Sequence, residues 1–261
     1  MNFSDLASQK FLITGAAGLL GRAVAQELLM AGAAVLLVDH NHEALEAFRA
    51  TLEEADSEAQ IECLNLDITN QSECHKIFND PTINPFGKID GVIHCAYPRN
   101  EDWGTKFQDL KLSSLNENIG MQLGGSLVLA QAALNHFVQS GGGHLILVSS
   151  IQGFCAPKFD HYSGTKMVSP IEYSAVKAGL INSVRWLAKY YANKNIRVNC
   201  ISPGGILDHQ PELFLKRYRE SCTNFGMLSP QQVAQPIAFL LSSCSSAING
   251  QNIVVDDGWS L

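Results

Sequence analysis

Short apolar runs alternate with segments of helical periodicity along almost the whole chain, and this alternation constrains the fold more than any other feature. Residues 10–14 form an apolar run that ends in a glycine turn, and residues 19–31 then carry apolar side chains at helical spacing. Neighbouring parallel strands require a crossover connection, which is usually a helix. The pattern therefore predicts an α/β fold built on a single doubly wound parallel sheet with helices on both faces.

The same order continues to the end of the chain. Strands are expected at 10–14, 33–38, 61–66, 89–95, 144–149, 196–201 and 252–255. Helices are expected at 19–31, 43–55, 71–78, 172–193 and 230–241, with one long helix or two over 112–139. No linker interrupts the pattern, so we expect one domain spanning residues 1–261. Segments near 151–170 and 206–228 would form lids over a substrate.

The composition bears on partners. Charged residues make up 16% of the chain, against about 25% in an average globular protein. A surface short of charge suggests that identical subunits cover part of it, so a homotetramer or a homodimer is expected. The net charge of −7 and the lack of a basic block argue against nucleic acid as a partner.

The seven cysteines are scattered without a short Cys-x-x-Cys pair. This spacing fits neither a disulfide framework nor a zinc site, so we expect free thiols in a reducing compartment and no metal. No apolar run reaches about 18 residues, which argues against a membrane span. The N-terminus carries Asp5 and lacks an apolar stretch, so no signal peptide is expected and the protein is predicted to be cytoplasmic.

The glycine turn after the first strand has the spacing of a dinucleotide phosphate site. Gly15, Gly18 and Gly21 lie between a strand and a helix, where the backbone can approach a pyrophosphate and the helix N-terminus faces its charge. Asp39 follows the next strand and suits a ribose 2′-hydroxyl, which favours NAD over NADP. Alternatively, the glycines form a plain tight turn and Asp39 caps a helix. Asp67 would accept a hydrogen bond from adenine or cap the helix that begins near residue 71.

Two Tyr-x-x-x-Lys pairs compete for a catalytic assignment. Residues four apart share a face only on a helix. Tyr162 and Lys166 enclose Gly164 and precede a proline, which is poor helix material. Tyr173 and Lys177 open a long predicted helix, so we assign this pair. A tyrosine with a pKa near 10 needs a neighbouring ammonium to act as a base at neutral pH.

These motifs together resemble the short-chain dehydrogenase/reductase family over essentially the full length, which implies a Rossmann-type fold. The residues that carry the resemblance are 14–21, Asp39, Asp67, Ser150, 173–179, 195–199, Pro203, Gly204 and 250–259. The family's usual spacing between its lysine and the asparagine of the next strand fits Lys177 and Asn199, and not Lys166.

The resemblance implies roles for individual residues. Tyr173 would exchange the substrate proton, Ser150 would hydrogen-bond the substrate oxygen, and Lys177 would hold the nicotinamide ribose and lower the pKa of Tyr173. No metal is needed for direct hydride transfer. The implied cofactor-binding residues are Gly15, Ala17, Gly18, Leu19, Leu20, Asp39, Asp67, Ile68, Cys95, Ala96, Tyr97, Tyr173, Lys177, Pro203, Gly204 and Ile206.

The chain departs from the family pattern in two places. His94, Cys95, Ala96 and Tyr97 stand where Asn-Asn-Ala-Gly is common. The family's catalytic-helix asparagine, which takes part in a proton relay, aligns with Gln122. Asn118 lies one turn earlier and is the other candidate for that position.

Several strings, among them Cys-Ala-Tyr-Pro-Arg at 95–99, are similar to bacterial oxidoreductases linked to flagellin glycan and nonulosonic-acid sugar pathways. This similarity implies a hexose phosphate or an activated sugar as substrate. A cluster of basic residues could bind its phosphate or form the solvated face of a short helix. The cluster comprises Lys216, Arg217 and Arg219, with Arg99 and Lys158.

Two other functions stay open. One is a non-catalytic NAD-binding sensor or scaffold on the same fold, and the other is a 3-oxoacyl thioester reductase. The complete set of Ser150, Tyr173 and Lys177 favours an enzyme over a sensor. A 3-oxoacyl thioester needs an apolar groove, and the polar, proline-interrupted lid argues against it.

The family commonly assembles through the helix that carries the Tyr-Lys pair and the helix before it. The predicted helices over 112–139 and 172–193 have more apolar faces than one sheet covers. The tail ends in Trp259 and Leu261, which we expect a partner subunit to bury unless the tail folds back on its own chain.

Overall fold

The computed structural model describes residues 3–261 and contains a seven-stranded sheet whose paired strands are all parallel. The strand order is β3-β2-β1-β4-β5-β6-β7. The chain therefore adds strands towards one edge of the sheet from β1 to β3 and towards the other edge from β4 to β7, and the order reverses between β1 and β4. In register, Ile13 lies between Leu37 and Ile93. The strands are β1 Lys10–Thr14, β2 Ala34–Asp39, β3 Ile61–Asn65, β4 Gly91–His94, β5 Gly143–Val148, β6 Ile196–Pro203 and β7 Asn252–Val255.

Helices cover both faces of the sheet, as predicted. They are α1 Leu19–Met30, α2 His42–Ala55, α3 Gln71–Asn79, α4 Leu112–Ile119, α5 Gly125–Ser140, α6 Ile171–Tyr190, α7 Glu212–Glu220 and α8 Pro230–Leu241. Alternate residues of β1 face opposite cores: Phe11 packs with α1, α2 and α8, and Leu12 packs with α3, α5 and α6. Two buried layers against one sheet give the doubly wound architecture.

The predicted segment 112–139 is one continuous helical stretch that contains a π-helical turn. Helix α4 passes into the turn Gly120–Gly124 and then into α5. π-Helical turns inside helices often lie at functional sites. No helix of the described residues is long and apolar enough to cross a membrane.

The C-terminal tail folds back on its own chain, so the expectation that a partner subunit buries Trp259 was wrong. Its side chain is 4% exposed and packs with Ile151, Phe214, Tyr218 and Met227. Its ring stacks on that of Tyr218 with centroids 5.7 Å apart. The two predicted lid segments supply this pocket, which the sequence pattern did not reveal. Leu261 is fully exposed.

Candidate active site

The glycine turn brings β1, α1 and β4 into close contact. Gly15 has φ +65°, and a Cβ there would lie 2.7 Å from the backbone of Ala96. A Cβ on Gly21 would lie 2.2 Å from the Gly15 carbonyl oxygen. Gly18 is the N-cap of α1 and provides no side-chain cap, so the first-turn N–H groups, those of Leu19 and Leu20 included, face outward from the helix N-terminus. A cradle this open suits a pyrophosphate.

Asp39 adjoins this turn. Its carboxylate is 8% exposed and accepts hydrogen bonds from the backbone N–H groups of Ala17 and Asn41, both at 3.0 Å. It does not cap α2, because the cap of that helix is Asn41, whose side chain accepts from the Ala44 N–H at 3.1 Å. The residues at this edge therefore fit a dinucleotide, with Asp39 beside the turn.

Asp67 does not cap α3 either. Its carboxylate accepts from the backbone and hydroxyl of Thr69, both at 2.9 Å. The cap of α3 is Asn70, whose side chain accepts from Ser72 and Glu73. Asp67 is exposed beside the buried Ile68, which packs against Gly125.

The other predicted cofactor residues follow the ends of β4 and β6, the two strands on either side of β5. Cys95, Ala96 and Tyr97 come directly after β4, and Ala96 touches the glycine turn. Pro203 ends β6, and the N–H of Gly204 bonds to the Val255 carbonyl at 2.8 Å. Ile206 pairs with Leu228 as an isolated bridge. All lie at the carboxyl edge of the sheet, where ligands of such folds bind.

The structure brings Ser150, Tyr173 and Lys177 together at the same edge. Lys177 is buried on α6, and its Nζ donates to the Val148 carbonyl at 2.9 Å. That Nζ lies 5.5 Å from the ring centroid of Tyr173. Ser150 lies close enough to the phenol of Tyr173 to act on its pKa. A hydroxyl, a phenol and an ammonium thus lie near one another, an arrangement that suits acid–base chemistry.

Burial works against the charged forms of this group. It lowers the pKa of Lys177 to about 8. It also raises the pKa of Tyr173, while Ser150 acts in the lowering direction. We expected Lys177 to lower the pKa of Tyr173, but burial dominates and raises it, and Ser150 is the neighbour that opposes this effect.

The competing pair lies outside any helix. Tyr162 follows the single helical turn Phe159–His161, and Lys166 is exposed. The Tyr162 hydroxyl accepts from the Gln152 side chain at 3.3 Å. Tyr162 and Lys166 therefore do not share a helical face, in contrast to Tyr173 and Lys177 on α6.

Asn118 and Gln122 have different surroundings. The Asn118 side chain forms a reciprocal amide pair with Asn100, accepting from its N–H at 3.1 Å and donating to its Oδ1 at 3.0 Å. Gln122 lies in the π-helical turn, is buried, and has no hydrogen-bond partner for either side-chain polar atom. Asn118 is therefore committed to a structural contact, and the amide of Gln122 is free.

A chain of hydrogen bonds joins the glycine turn to this π-helical turn. The Ser126 hydroxyl donates to the Gln122 carbonyl at 2.5 Å, so His94 Nε2 must donate to Ser126 at 2.8 Å. His94 Nδ1 then accepts from the Thr14 hydroxyl at 2.7 Å. Burial lowers the pKa of His94 to about 3, which matches this neutral tautomer. His94, which stands where the family commonly has an asparagine, thus forms a buried hydrogen-bonded link between the glycine turn and the π-helical turn.

This geometry agrees with the comparisons with known proteins. A family model described as enoyl-(acyl carrier protein) reductase matches residues 15–260, and a short-chain dehydrogenase from Leptospira borgpetersenii with bound NAD+ has a TM-score of 0.87 at 30% identity, covering 100% of this chain and 96% of that one. The chain belongs to the short-chain dehydrogenase/reductase family. It is therefore an oxidoreductase.

This short-chain dehydrogenase/reductase is similar to two characterised classes of bacterial protein along nearly its whole length. It is 36% identical over 257 residues to the post-translational flagellin modification protein A of Campylobacter coli, covering 98% of this chain and 100% of that one. It is 30% identical over 255 residues to the 7alpha-hydroxysteroid dehydrogenase of Bacteroides fragilis, covering 96% of this chain and 93% of that one.

Basic side chains join the first predicted lid segment of this short-chain dehydrogenase/reductase to the C-terminal tail and to the second predicted lid segment. Lys158 donates to the Trp259 carbonyl at 3.1 Å and lies 4.6 Å from its ring centroid. Arg217 donates to the carbonyls of Asp160 and Ser163. Lys158 thus holds backbone of the tail and Arg217 holds backbone of the first lid segment. Lys216 and Arg219 are exposed on α7, and Arg99 lies over the ring of Tyr97.

Sequence reasoning missed Trp103. Its ring lies 6.4 Å from that of Tyr173 and 5.4 Å from that of Tyr97. The available signal was weak: an aromatic residue and a glycine in the loop after β4, where site residues of this fold are found.

Proposed function

We propose that the chain is an NAD-dependent dehydrogenase/reductase that transfers a hydride to or from a hydroxyl-bearing carbon of a sugar or an activated sugar. The observation that carries this proposal is the convergence of Ser150, Tyr173 and Lys177 beside the glycine turn at the carboxyl edge of the sheet. A sensor would have no use for a phenol, a hydroxyl and an ammonium at one point.

The chain's own residues perform the proton chemistry. Tyr173 exchanges a proton with the substrate oxygen, which Ser150 holds by a hydrogen bond. Lys177 places its ammonium beside the phenol and would hold the ribose of a bound cofactor. The free amide of Gln122, rather than Asn118, serves the proton relay from the interior. When bound, the nicotinamide supplies or accepts the hydride.

The choice of NAD rests on Asp39. Its carboxylate lies beside the glycine turn, where it can accept a ribose hydroxyl and would repel a 2′-phosphate. Gly15, Gly18, Leu19 and Leu20 would hold the pyrophosphate. The proposed cofactor contacts are completed by residues at the strand ends and beside the glycine turn: Ala17, Asp67, Ile68, Cys95, Ala96, Tyr97, Pro203, Gly204 and Ile206.

The flagellin modification relative supports a sugar substrate, and the steroid dehydrogenase relative supports a competing apolar one. Polar side chains near Ser150 favour the sugar. Gln152, Ser169 and Ser174 form a hydrogen-bonded group next to Ser150, with the Ser169 hydroxyl donating to Gln152 at 2.7 Å. A steroid or an acyl chain would need an apolar groove at this point.

We also propose a cytoplasmic homotetramer or homodimer. Trp259 is buried within its own chain and so gives no support for assembly, but the outer faces of α5 and α6 do support it. Trp186 and Tyr190 are 60% and 66% exposed and stack with centroids 4.7 Å apart, and Val138 is exposed on α5. Apolar surface of this kind marks an interface. Light scattering that gave only a monomer mass would contradict the assembly.

The function is tested by following NADH formation with NAD and hexose monophosphates or UDP-sugars as substrates. Cholate and acetoacetyl-CoA (the latter with NADH) provide the steroid and thioester arms. We expect turnover with a sugar and none with the other two. Tight NAD binding without turnover of any compound in the panel would favour the sensor.

A further inference from the structure

Three aromatic rings meet at nearly right angles at the proposed catalytic centre. Tyr97 and Tyr173 have centroids 5.6 Å apart with an interplanar angle of 83°. Trp103 lies at 89° to Tyr97 and at 83° to Tyr173. We name Tyr97, Trp103 and Tyr173 the aromatic corner. All three side chains are partly exposed, whereas Ser150 and Lys177 behind them are buried.

The loop that carries Trp103 is held in place by polar contacts to α4. Besides its reciprocal pair with Asn118, Asn100 donates through Nδ2 to Ser114 at 3.0 Å and to Glu117 at 2.7 Å. These contacts give Asn118 a positioning role. The geometry favours an organised wall over a freely moving loop, because several hydrogen bonds must break together to release it.

The loop also meets a lid. Gly104 has φ +91°, and a Cβ there would lie 2.8 Å from Cγ2 of Val168. Trp103 therefore sits where the loop after β4 approaches residues 151–170. The polar group of Gln152, Ser169 and Ser174 lies on that same lid and the start of α6. Aromatic faces and hydroxyl groups thus border the same catalytic tyrosine.

This combination matches one class of ligand. Aromatic faces carry partial negative charge and attract the C–H face of a saturated ring, while hydroxyl and amide groups bond the ring's hydroxyls. We infer that Trp103, together with Tyr97, is a substrate-binding wall that stacks on the C–H face of a sugar ring and presents its carbinol carbon to Tyr173. The inference rests on the proposed function and adds Trp103 as a specificity-determining residue.

Binding is tested by tryptophan fluorescence, because the chain has only three tryptophans. The holoenzyme with NAD is titrated with the sugar that turns over fastest in the panel. Wild type and Trp186→Phe should show the same change in emission, and Trp103→Phe should lose most of it, with only the contribution of Trp259 left. Trp186 is the matched control because it is exposed and lies in the C-terminal half of α6, whereas Tyr173 lies in the first turn of that helix. An undiminished change in Trp103→Phe would overturn the inference.

Kinetics supply a second readout. Trp103→Leu should raise KM for the sugar by about tenfold, which equals about 1.4 kcal/mol of binding, with a smaller change in kcat. Trp103→Phe keeps an aromatic face and should restore most of the affinity. Phe107→Leu, a change at an exposed aromatic on the same loop, should leave KM unaltered.

The outcomes separate this inference from the proposed function. Sugar turnover with an unchanged KM in Trp103→Leu would refute the wall and leave the function standing. Turnover of cholate alone by the wild type would refute the function itself. A raised KM that Phe restores, with Phe107→Leu silent, supports the wall.

Discussion

The glycine-turn region (residues 10–39) and the lid region (residues 151–170, 206–228 and 256–261) border the same site but are built differently. The first depends on backbone geometry between adjacent strands: the close approach of Gly15 to Ala96 and the bond from Ala17 to Asp39. The second depends on side chains that meet across long stretches of sequence. Lys158 and Trp259 are 101 residues apart, and Arg217 and Asp160 are 57 apart.

This difference explains why the glycine-turn region suits cofactor binding and the lid region suits substrate binding. A backbone cradle recognises a pyrophosphate, which every dinucleotide contains, so it can stay the same across substrates. Lids held by side chains can change shape through substitutions that leave the sheet intact. A carboxylate also holds backbone within the lid region: Asp257 accepts hydrogen bonds from the N–H groups of Asn224 and Gly226. These bonds lower the pKa of Asp257.

The largest effect is expected at the point where the regions meet. Tyr173→Phe should leave NAD affinity unchanged and lower kcat by at least about 10²-fold, the usual contribution of a positioned acid–base group. Tyr162→Phe should be mild, because Tyr162 lies outside any helix in the lid. Calorimetry with NAD and steady-state rates measure the two effects. The reverse ranking of the two variants would show that the lid tyrosine does the chemistry.

Gly15→Ala should break the glycine-turn region selectively. The positive φ and the predicted overlap with Ala96 should weaken NAD binding by at least about tenfold, since such strain costs about 1–3 kcal/mol. Gly87→Ala is the matched control: it has φ +66° and no atom within 4 Å of the added Cβ. Equal loss of NAD affinity in both variants would mean that general strain, and not the cradle, is responsible.

Trp259→Leu should loosen the lid region and spare the glycine-turn region. Losing the stacked ring on Tyr218 removes an aromatic contact worth about 0.5–1.5 kcal/mol beyond its buried area. We expect a several-fold rise in the KM of the sugar with NAD affinity unaltered. Leu261→Ala changes a fully exposed side chain and should have no effect. A parallel loss of NAD affinity would show that the two regions are not separate.

The last expected effect concerns the pH dependence of stability and leaves the chemistry at the site aside. Burial holds the pKa of His94 at about 3, below its ordinary value near 6.5, so the unfolded chain takes up a proton in this range before the native one does. The stability that His94 provides is therefore present above pH 6.5 and is lost as the pH falls towards 3. His94→Asn should flatten the dependence of Tm on pH in that window. His42→Asn, at an exposed position, should not.

The same contrast describes what the sequence could predict. The seven strands lay within about two residues of their expected bounds, because period and glycine spacing are local signals. Helix propensity favours Tyr173 and Lys177 over Tyr162 and Lys166 as the pair that shares a helical face. The structure places only Tyr173 and Lys177 on a helix. Helix capping was the alternative role for Asp39 and Asp67, and the structure excludes it because Asn41 and Asn70 cap those helices.

The parts that were missed depend on long-range contacts. Nothing local indicated that Trp259 would enter a pocket between the two lids, or that Arg217 would bind lid carbonyls. The aromatic corner needs the loop after β4 and the start of α6 to meet in space. Periodicity carries no information about such meetings, so they required the structure.

Hydride transfer to a sugar carbon is tested most directly with NADH that carries deuterium at its transferable position. The enzyme is incubated with this NADH and the keto form of the sugar that reacts in the oxidation panel, and the product is examined by mass spectrometry. The account predicts one deuterium on the carbinol carbon with wild type and at least about 10²-fold slower labelling with Tyr173→Phe. Sugar product without deuterium, or equal labelling by the two enzymes, would contradict it.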